Sequence, residues 1–343
     1  MIKLSVCIPA YNRKEFMVPL LDSILMQDYE DLDVVICEDK SPQRDEIKNI
    51  VQTYIIEKKI NPNKIKYFEN KYNLGYDKNF REMLGNATGE YCLFMGNDDI
   101  LAEGAIERII KVIQENPEVA VISRTYQWFL GDINNIQDTV RHLPNDKLFD
   151  FGLEAIHFFF RRVGVLSGLV FKRTEAINVA TDRFDGHLFY QMYLASMLLK
   201  TNKGYYISSV QTYSRDGIEP DFGNAEVEKE KFSPGSYLYE GRIHMVKGML
   251  KIADYIDDTQ DKRIYKAVKK DIATYFYPYI RDQLNLPFNY YLKMTQEFMR
   301  IGMKNEFYFY VHVILGYILK MKGYDKMVKM IRKVLGHSPR IGI

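Results

Sequence analysis

Cysteine is scarce in this sequence, at three residues in 343. Cys7, Cys37 and Cys92 each sit inside an apolar run, and none has a C-x-x-C or Cys/His spacing. That excludes a zinc ribbon or a disulfide-built scaffold and leaves small buried hydrophobes with free thiols. No Gly-x-Gly-x-x-Gly follows the first apolar run, so the dinucleotide fingerprint of an oxidoreductase is missing. Nor is there a glycine-rich basic loop near the N-terminus, where the chain reads Pro9-Ala10-Tyr11-Asn12-Arg13; this argues against a sugar nucleotidyltransferase. Excess charge of one sign is also absent. The 47 Lys and Arg residues nearly balance 45 Asp and Glu, a net of +2, and no nucleic-acid partner is expected. No apolar run reaches the ~20 residues that a bilayer span needs. The chain opens on a strand-like run, Ile2 to Ile8, in place of a basic segment and cleavage site. With unpaired thiols, this gives the expectation of a cytoplasmic location.

What is present is a packed globular mixture, 47% apolar and 27% charged. From Lys3 to Val121 short apolar runs alternate with amphipathic segments. That rhythm predicts an α/β fold, a Rossmann-like, mostly parallel sheet flanked by helices. Ligands on such sheets bind beyond the carboxyl ends of the strands. The loops after Ile8, Cys37 and Met95 should therefore gather on one edge. An excursion or hairpin around Trp128 is expected over 123–145, a helix over 153–161, a strand over 169–172 and a helix over 188–199. The segment 214–235 reads as a flexible loop, and 236–343 as helical. The length divides into a catalytic unit, 1–235, and a helical C-terminal region, 236–343. Within the former, 1–123 would bind nucleotide and 124–235 would form the acceptor side.

Three loops carry chemistry. Gly96-Asn97-Asp98-Asp99 delivers adjacent acids beyond a buried strand, which is costly without a positive partner. A divalent cation, Mn2+ or Mg2+, that also holds a nucleoside diphosphate would compensate them. Helix capping explains one of these acids but not both. Glu38-Asp39 again follows a buried strand, and Asp39 could accept a hydrogen bond from a pyrimidine base; capping of the next helix is better served by Ser41 with Pro42. In Asn73-Leu74-Gly75, with Asn79 beyond, glycine relieves the turn into a helix whose N-terminus could face phosphate or ribose.

In sequence order these segments, with Ser5-Val6-Cys7-Ile8-Pro9-Ala10-Tyr11-Asn12 before them and Ala87-Thr88-Gly89-Glu90-Tyr91 between, resemble glycosyltransferase family 2. The resemblance implies a GT-A fold, a nucleotide-sugar donor, a divalent metal and inversion at the anomeric carbon. Carried over by motif, Pro9 and Tyr11 would line the base pocket, Asp39 would bond the base, and Asn12 would belong to the donor site. Asn73, Gly75 and Asn79 would face the donor, Asp98 would touch the ribose, and Asp99 would bind metal. Asn97 departs from the first acid of the family's D-x-D motif. The Glu-Asp pair that the family places late in the core is missing from Arg183-Phe184-Asp185-Gly186-His187, leaving Asp185 and His187 as candidates for removing the acceptor proton. Arg215, in the loop near the end of the core, suits a diphosphate. UDP is the expected nucleotide, with CDP or dTDP as alternatives. Within the family the middle of the chain is faintly similar to O-antigen-type members, including abequosyltransferases, which implies a surface-glycan acceptor carried on lipid. A catalytically inactive nucleotide-sugar binder or assembly scaffold is the competing reading, kept open by Asn97 and the missing pair.

In the C-terminal region, aromatic and apolar residues from Phe307 to Met321 precede Lys322, Lys326, Lys329, Arg332 and Lys333. Such a helix suits an anionic membrane surface, or else a bundle packed on the core or on a second copy in a homo-oligomer.

Overall fold

The computed structural model describes residues 2–335, apart from the side chains of Arg332, Lys333 and Leu335; the last two basic residues of the C-terminal series thus lie outside the described residues. Among the described residues, ten strands make one sheet: β1 (Leu4–Ala10), β2 (Leu32–Glu38), β3 (Ile65–Glu69), β4 (Tyr91–Phe94), β5 (Ile100–Leu101), β6 (Val119–Phe129), β7 (Ile136–Val140), β8 (Lys147–Phe149), β9 (Leu169–Lys172) and β10 (Lys203–Arg215). Twelve α-helices accompany them among the same residues: α1 (Met17–Leu25), α2 (Arg44–Glu57), α3 (Tyr76–Asn86), α4 (Ala105–Glu115), α5 (Leu153–Arg162), α6 (Arg173–Asn178), α7 (Tyr190–Leu198), α8 (Tyr239–Ile256), α9 (Arg263–Thr274), α10 (Tyr277–Ile280), α11 (Phe288–Arg300) and α12 (Phe307–Leu335).

The strand order is β3-β2-β1-β4-β9-β6-β10-β5, with β7 on β6 and β8 on β10. The expected parallel part is β3-β2-β1-β4. Beyond it β9 runs antiparallel to both β4 and β6, so the sheet is mixed across its middle. The excursion around Trp128 is the β6–β7 hairpin. The segment 216–238 contains no named strand or helix.

Strand β1 shows why the fold closes on both faces. Leu4, Val6 and Ile8 join a cluster with Leu20, Leu21, Ile47, Ile109 and Ile113, while Cys7 turns to the other face with Cys37, Phe80 and Phe94. Side chains alternate across a strand, so both layers must be apolar. Helix α4 has its isoleucines at 106, 109, 110 and 113, the spacing of one buried stripe. Acids inside these strands are individually answered: Asp33 accepts from Lys66 Nζ at 2.7 Å and Thr88 Oγ1 at 2.6 Å, and Glu38 from the backbone N–H of Lys40 and Ser41 at 2.9 and 2.7 Å. The second cluster continues without a break into the C-terminal helices, through Met245, Met249, Ile272 and Phe276. A buried ion pair, Arg161 Nε to Asp271 Oδ2 at 3.0 Å, ties α5 to α9.

Candidate active site

A cavity of about 620 Å³ opens where β1, β2 and β4 end. Parallel register aligns those ends, since Pro9 lies beside Cys37, Ala10 beside Glu38 and Cys7 beside Phe94. Of the residues expected at the donor, Pro9, Tyr11, Asp39, Asn73, Gly75, Asn79, Asn97 and Asp98 line it. Asn12, Asp99, Asp185, His187 and Arg215 do not.

Asp39 organises the nucleotide-side wall. Its Oδ1 accepts from Asn70 Nδ2 and Leu74 N, both at 2.8 Å, and its Oδ2 from Gly75 N at 2.9 Å. Burial nevertheless pushes its pKa up to about 6. Asn79 spans β2 and the turn, donating to Cys37 O at 3.1 Å and accepting from Asn70 at 2.9 Å. Gly75 sits at φ 79°, and a Cβ there would lie 2.7 Å from Glu228 Oε1. Glycine is required by both conformation and space.

The Asn97-Asp98-Asp99 turn separates its side chains. Asn97 donates through Nδ2 to the carbonyls of Tyr11 and Asn12 at 3.2 and 3.1 Å. This accounts for an amide where an acid was expected: an ionised carboxylate has no proton to donate to two carbonyls. Those donations hold a loop in which Asn12 and Arg13 both have left-handed backbones, φ 53° and 63°. Asp98 faces the cavity and pairs with Arg13 Nη1 at 2.8 Å. Asp99 points inward, accepting from Ser167 Oγ, from Ser214 Oγ at 3.2 Å and from Arg215 N at 2.9 Å. Burial, then the charge of Asp98, raises its pKa. The metal assignment made for Asp99 therefore meets a carboxylate already engaged by three protein donors. Among the described residues, no group of three His, Cys, Asp or Glu side chains could hold a metal by itself.

Arg215 departs from expectation for a similar reason. Its Nε donates to Asp98 O at 3.1 Å, its Nη1 to Gly131 O at 3.1 Å, and its guanidinium lies 4.0 Å from the Phe16 ring centroid and 4.6 Å from that of Phe129. On this side of the cavity the lining arginine is Arg13, bridging Asp98 and Asp221, the latter at 2.9 Å. Asn12 donates to the same Asp221 at 3.1 Å, so its side chain fastens the 216–238 segment over the site.

Asp185 and His187, the candidates for removing the acceptor proton, both lie outside the cavity lining and bond to other parts of the protein. Both oxygens of Asp185 pair with Arg81, at 2.5 and 2.8 Å. His187 turns Nδ1 to Phe184 O at 3.0 Å, and burial lowers its pKa. Their segment is instead built by Asp77, which is buried and accepts backbone N–H bonds from His187, Leu188 and Tyr190 at 2.8, 3.0 and 3.0 Å. Burial lifts Asp77 to about 7. Leu188, Phe189 and Gln191, held by this arrangement, line the cavity where the acidic pair was sought.

The far wall comes from the end of the 216–238 segment and from the C-terminal helices and the turn after α10, a region that sequence reasoning had kept apart from the site. Tyr237, Arg242, Tyr277, Arg281 and Asp282 line it. Arg242 lies 3.8 Å from the Tyr237 ring centroid and pairs with Asp282. Glu228 lines the same space, accepting from Tyr76 N at 2.9 Å and Gly223 N at 2.8 Å. No motif marks these positions in the sequence; the aromatic density around Tyr277 was the available signal.

This sheet order, with a nucleotide-sized cavity at the strand ends and an Asp-Asp turn on its edge, is the GT-A fold. The S. aureus TarS 1-349 structure in complex with UDP-GlcNAc aligns with a TM-score of 0.61 at 16% identity, over 95% of this chain and 92% of that one. The mannosyltransferase PcManGT from Pyrobaculum calidifontis, in complex with GDP-Man and Mn2+, aligns at 0.52 and 15% identity, over 95% and 88%. Residues 5–168 match Glycosyl transferase family 2, and the chain carries a domain of that family. Similar proteins include the abequosyltransferase RfbV of Salmonella typhimurium, 28% identical over 56% of this chain and 57% of its own length. Another is the GalNAc(5)-diNAcBac-PP-undecaprenol beta-1,3-glucosyltransferase of Campylobacter jejuni, 34% identical over 34% and 36%. The matches thus span 57% and 36% of these relatives' lengths.

Proposed function

We propose that the chain transfers a sugar from a nucleoside-diphosphate donor to a surface-glycan acceptor by single displacement with inversion. The observation that carries this reading is the convergence of Asp39, the Asn73–Gly75 turn, Arg13 and Asp98 on one cavity at the strand ends. UDP is the first nucleotide to test, then CDP and dTDP; the TarS and PcManGT structures hold UDP-GlcNAc and GDP-Man respectively. The similarity to RfbV and to a transferase named for a PP-undecaprenol-linked glycan supports a lipid-linked acceptor.

In this reading Asp39 and the backbone it holds face the base, while Pro9 and Tyr11 flank it. Asp98 is the carboxylate with access to a divalent cation. One carboxylate completed by diphosphate oxygens and water is an ordinary Mn2+ or Mg2+ environment. When bound, the cation supplies charge neutralisation for the departing diphosphate. Arg13 adds a guanidinium beside the same carboxylate. Asp99 acts as a positioning residue, anchoring the start of the 216–238 segment through Arg215 N. Proton removal from the acceptor hydroxyl falls to a carboxylate that faces the cavity on the side of the 216–238 segment and the C-terminal helices, Asp221 or Asp282, rather than to Asp185 or His187.

Thermal unfolding against UDP, CDP, dTDP and GDP, each with and without Mn2+, tests the donor site, because a ligand of the folded state raises its midpoint. A metal-dependent rise with one diphosphate is expected. No rise with any of them sinks the donor-site reading, and donor hydrolysis without transfer to any acceptor would favour the scaffold.

A further inference from the structure

Helix α12 carries no charged residue between Phe307 and Leu319. A helix apolar on every side is normally enclosed. Here one face is covered: Phe309, His312 and Val313 are buried, and Gly316 packs against Leu284 and Ile280. The opposite stripe is open, with Phe307, Ile314 and Ile318 exposed by 74%, 57% and 67%. Phe288, at the start of α11 and also exposed, extends the patch through its contact with Tyr317. At Lys320 the backbone leaves the helix at φ 56°, and charge begins there. Lys320, Lys322, Lys326 and Lys329 are all exposed. The helix has one acid, Asp325, which pairs with Arg281 at 2.7 Å.

We propose that this face of α12 docks on an anionic lipid surface, with the apolar stripe at the headgroup boundary and the lysines on lipid phosphates. Charge selects the occupant. A second copy would set one lysine series against another, and the single acid of α12 is already paired. Anionic headgroups supply the missing negative charge, at roughly fivefold in affinity for each lysine near the surface. No described helix is long and apolar enough to cross a membrane, so contact would be peripheral. The location is consistent with access to the site. Tyr277 and Arg281 line the cavity on one side and meet Tyr324 and Asp325 of α12 on the other. The membrane would lie one helical layer from the cavity.

This inference stands apart from the donor reading, because its test needs no nucleotide or acceptor. The full chain is floated with phosphatidylglycerol-containing vesicles and with pure phosphatidylcholine vesicles, at low and high salt. Recovery with the anionic vesicles alone, reduced by salt, is expected. The doubly substituted Ile314→Asp/Ile318→Asp protein should bind at least about tenfold more weakly, since two exposed apolar side chains are lost from the lipid contact. Its melting temperature should match the unsubstituted chain, because both positions are exposed. Absence of vesicle binding at low salt overturns the proposal, as does binding that the double substitution leaves intact. A concentration-dependent dimer that the same substitutions disperse, in a chain that ignores vesicles, would assign the patch to a second copy instead.

Discussion

Substituting the two neighbouring acids one at a time distinguishes a ligand-facing carboxylate from a structural one. Asp99→Ala strands Ser167 Oγ, Ser214 Oγ and Arg215 N, all bonded to Asp99 and buried or half-buried. At about 1–3 kcal/mol for each stranded donor, less what hydroxyl rotation recovers, the loss is roughly 3–6 kcal/mol. That is a large share of the 5–15 kcal/mol that typically holds a domain together. Asp98→Ala removes a pair with Arg13 at the cavity edge, at a cost of about 1 kcal/mol or less. Its larger effect should be on binding. A donor diphosphate with Mn2+ at a hundred times its dissociation constant stabilises by ~2.7 kcal/mol. At about 2–4 °C per kcal/mol in chains approaching this size, the midpoint rises by roughly 5 °C. Scanning fluorimetry of both variants should show Asp98→Ala with a near-normal baseline and no ligand shift. Asp99→Ala should show a strongly lowered baseline. If Asp99→Ala melts normally and loses the shift while Asp98→Ala keeps it, the cation belongs on Asp99 and the geometric argument fails.

Four further outcomes follow from the packing. Gly75→Ala must push Glu228 aside at a positive φ, so it should lower stability by about 1–3 kcal/mol and weaken nucleotide binding, measured by melting and calorimetry. Asp77 titrates near 7 when folded against an ordinary 3.8. Between those values the folded chain holds the extra proton, so this group's contribution to stability falls as pH rises, by up to about 1.4 kcal/mol per unit, and is flat above 7. Urea unfolding across that range should show this slope diminished in Asp77→Asn; an unchanged slope would remove Asp77 from the account. Asn97→Asp replaces a donor with a charge facing two carbonyls, and should loosen the 11–13 loop and raise KM for the donor rather than improve metal binding. Of Asp221→Asn and Asp282→Asn, the one that removes the base should lower kcat by about 10²–10⁴-fold while leaving the nucleotide-induced melting shift.

The sheet was legible because its code is short-range. Apolar runs of strand length, alternating between two buried layers as Leu4, Val6 and Ile8 do against Cys7, announce a sheet covered on both sides. The loops were legible because parallel strands must bring their carboxyl ends to one edge, which is why eight of the thirteen residues named for the site line the cavity. What sequence did not reveal was the direction of each side chain within a turn. Asp98 and Asp99 are adjacent and chemically identical, and only the presence of Ser167, Ser214 and the Arg215 amide, 68 to 116 residues away, turns the second one inward. Asp185 looked available until Arg81, 104 residues earlier, took both its oxygens. The C-terminal wall was missed for the same reason: helical periodicity tells which face is buried, not which cavity the face borders.

The cavity's charge arrangement explains how such a site stays folded with acids on its rim. Asp98 and Asp221 would repel each other, and burial already disfavours the ionised form of Asp98. The guanidinium of Arg13 lies between them. It holds the loop after β1 against the 216–238 segment; the amide of Asn12 reinforces that contact, and the amide of Asn97 ties the same loop to the 96–99 turn, neither adding charge. On the proposed donor reading, a diphosphate with its cation would bring both signs at once, its oxygens facing the arginine and its metal held by the carboxylate. On that reading the unliganded pair would be an internal substitute for the ligand pair. Because opposite charges would be exchanged for opposite charges, the proposed donor could take over contacts of the 216–238 segment without leaving a buried charge unpaired.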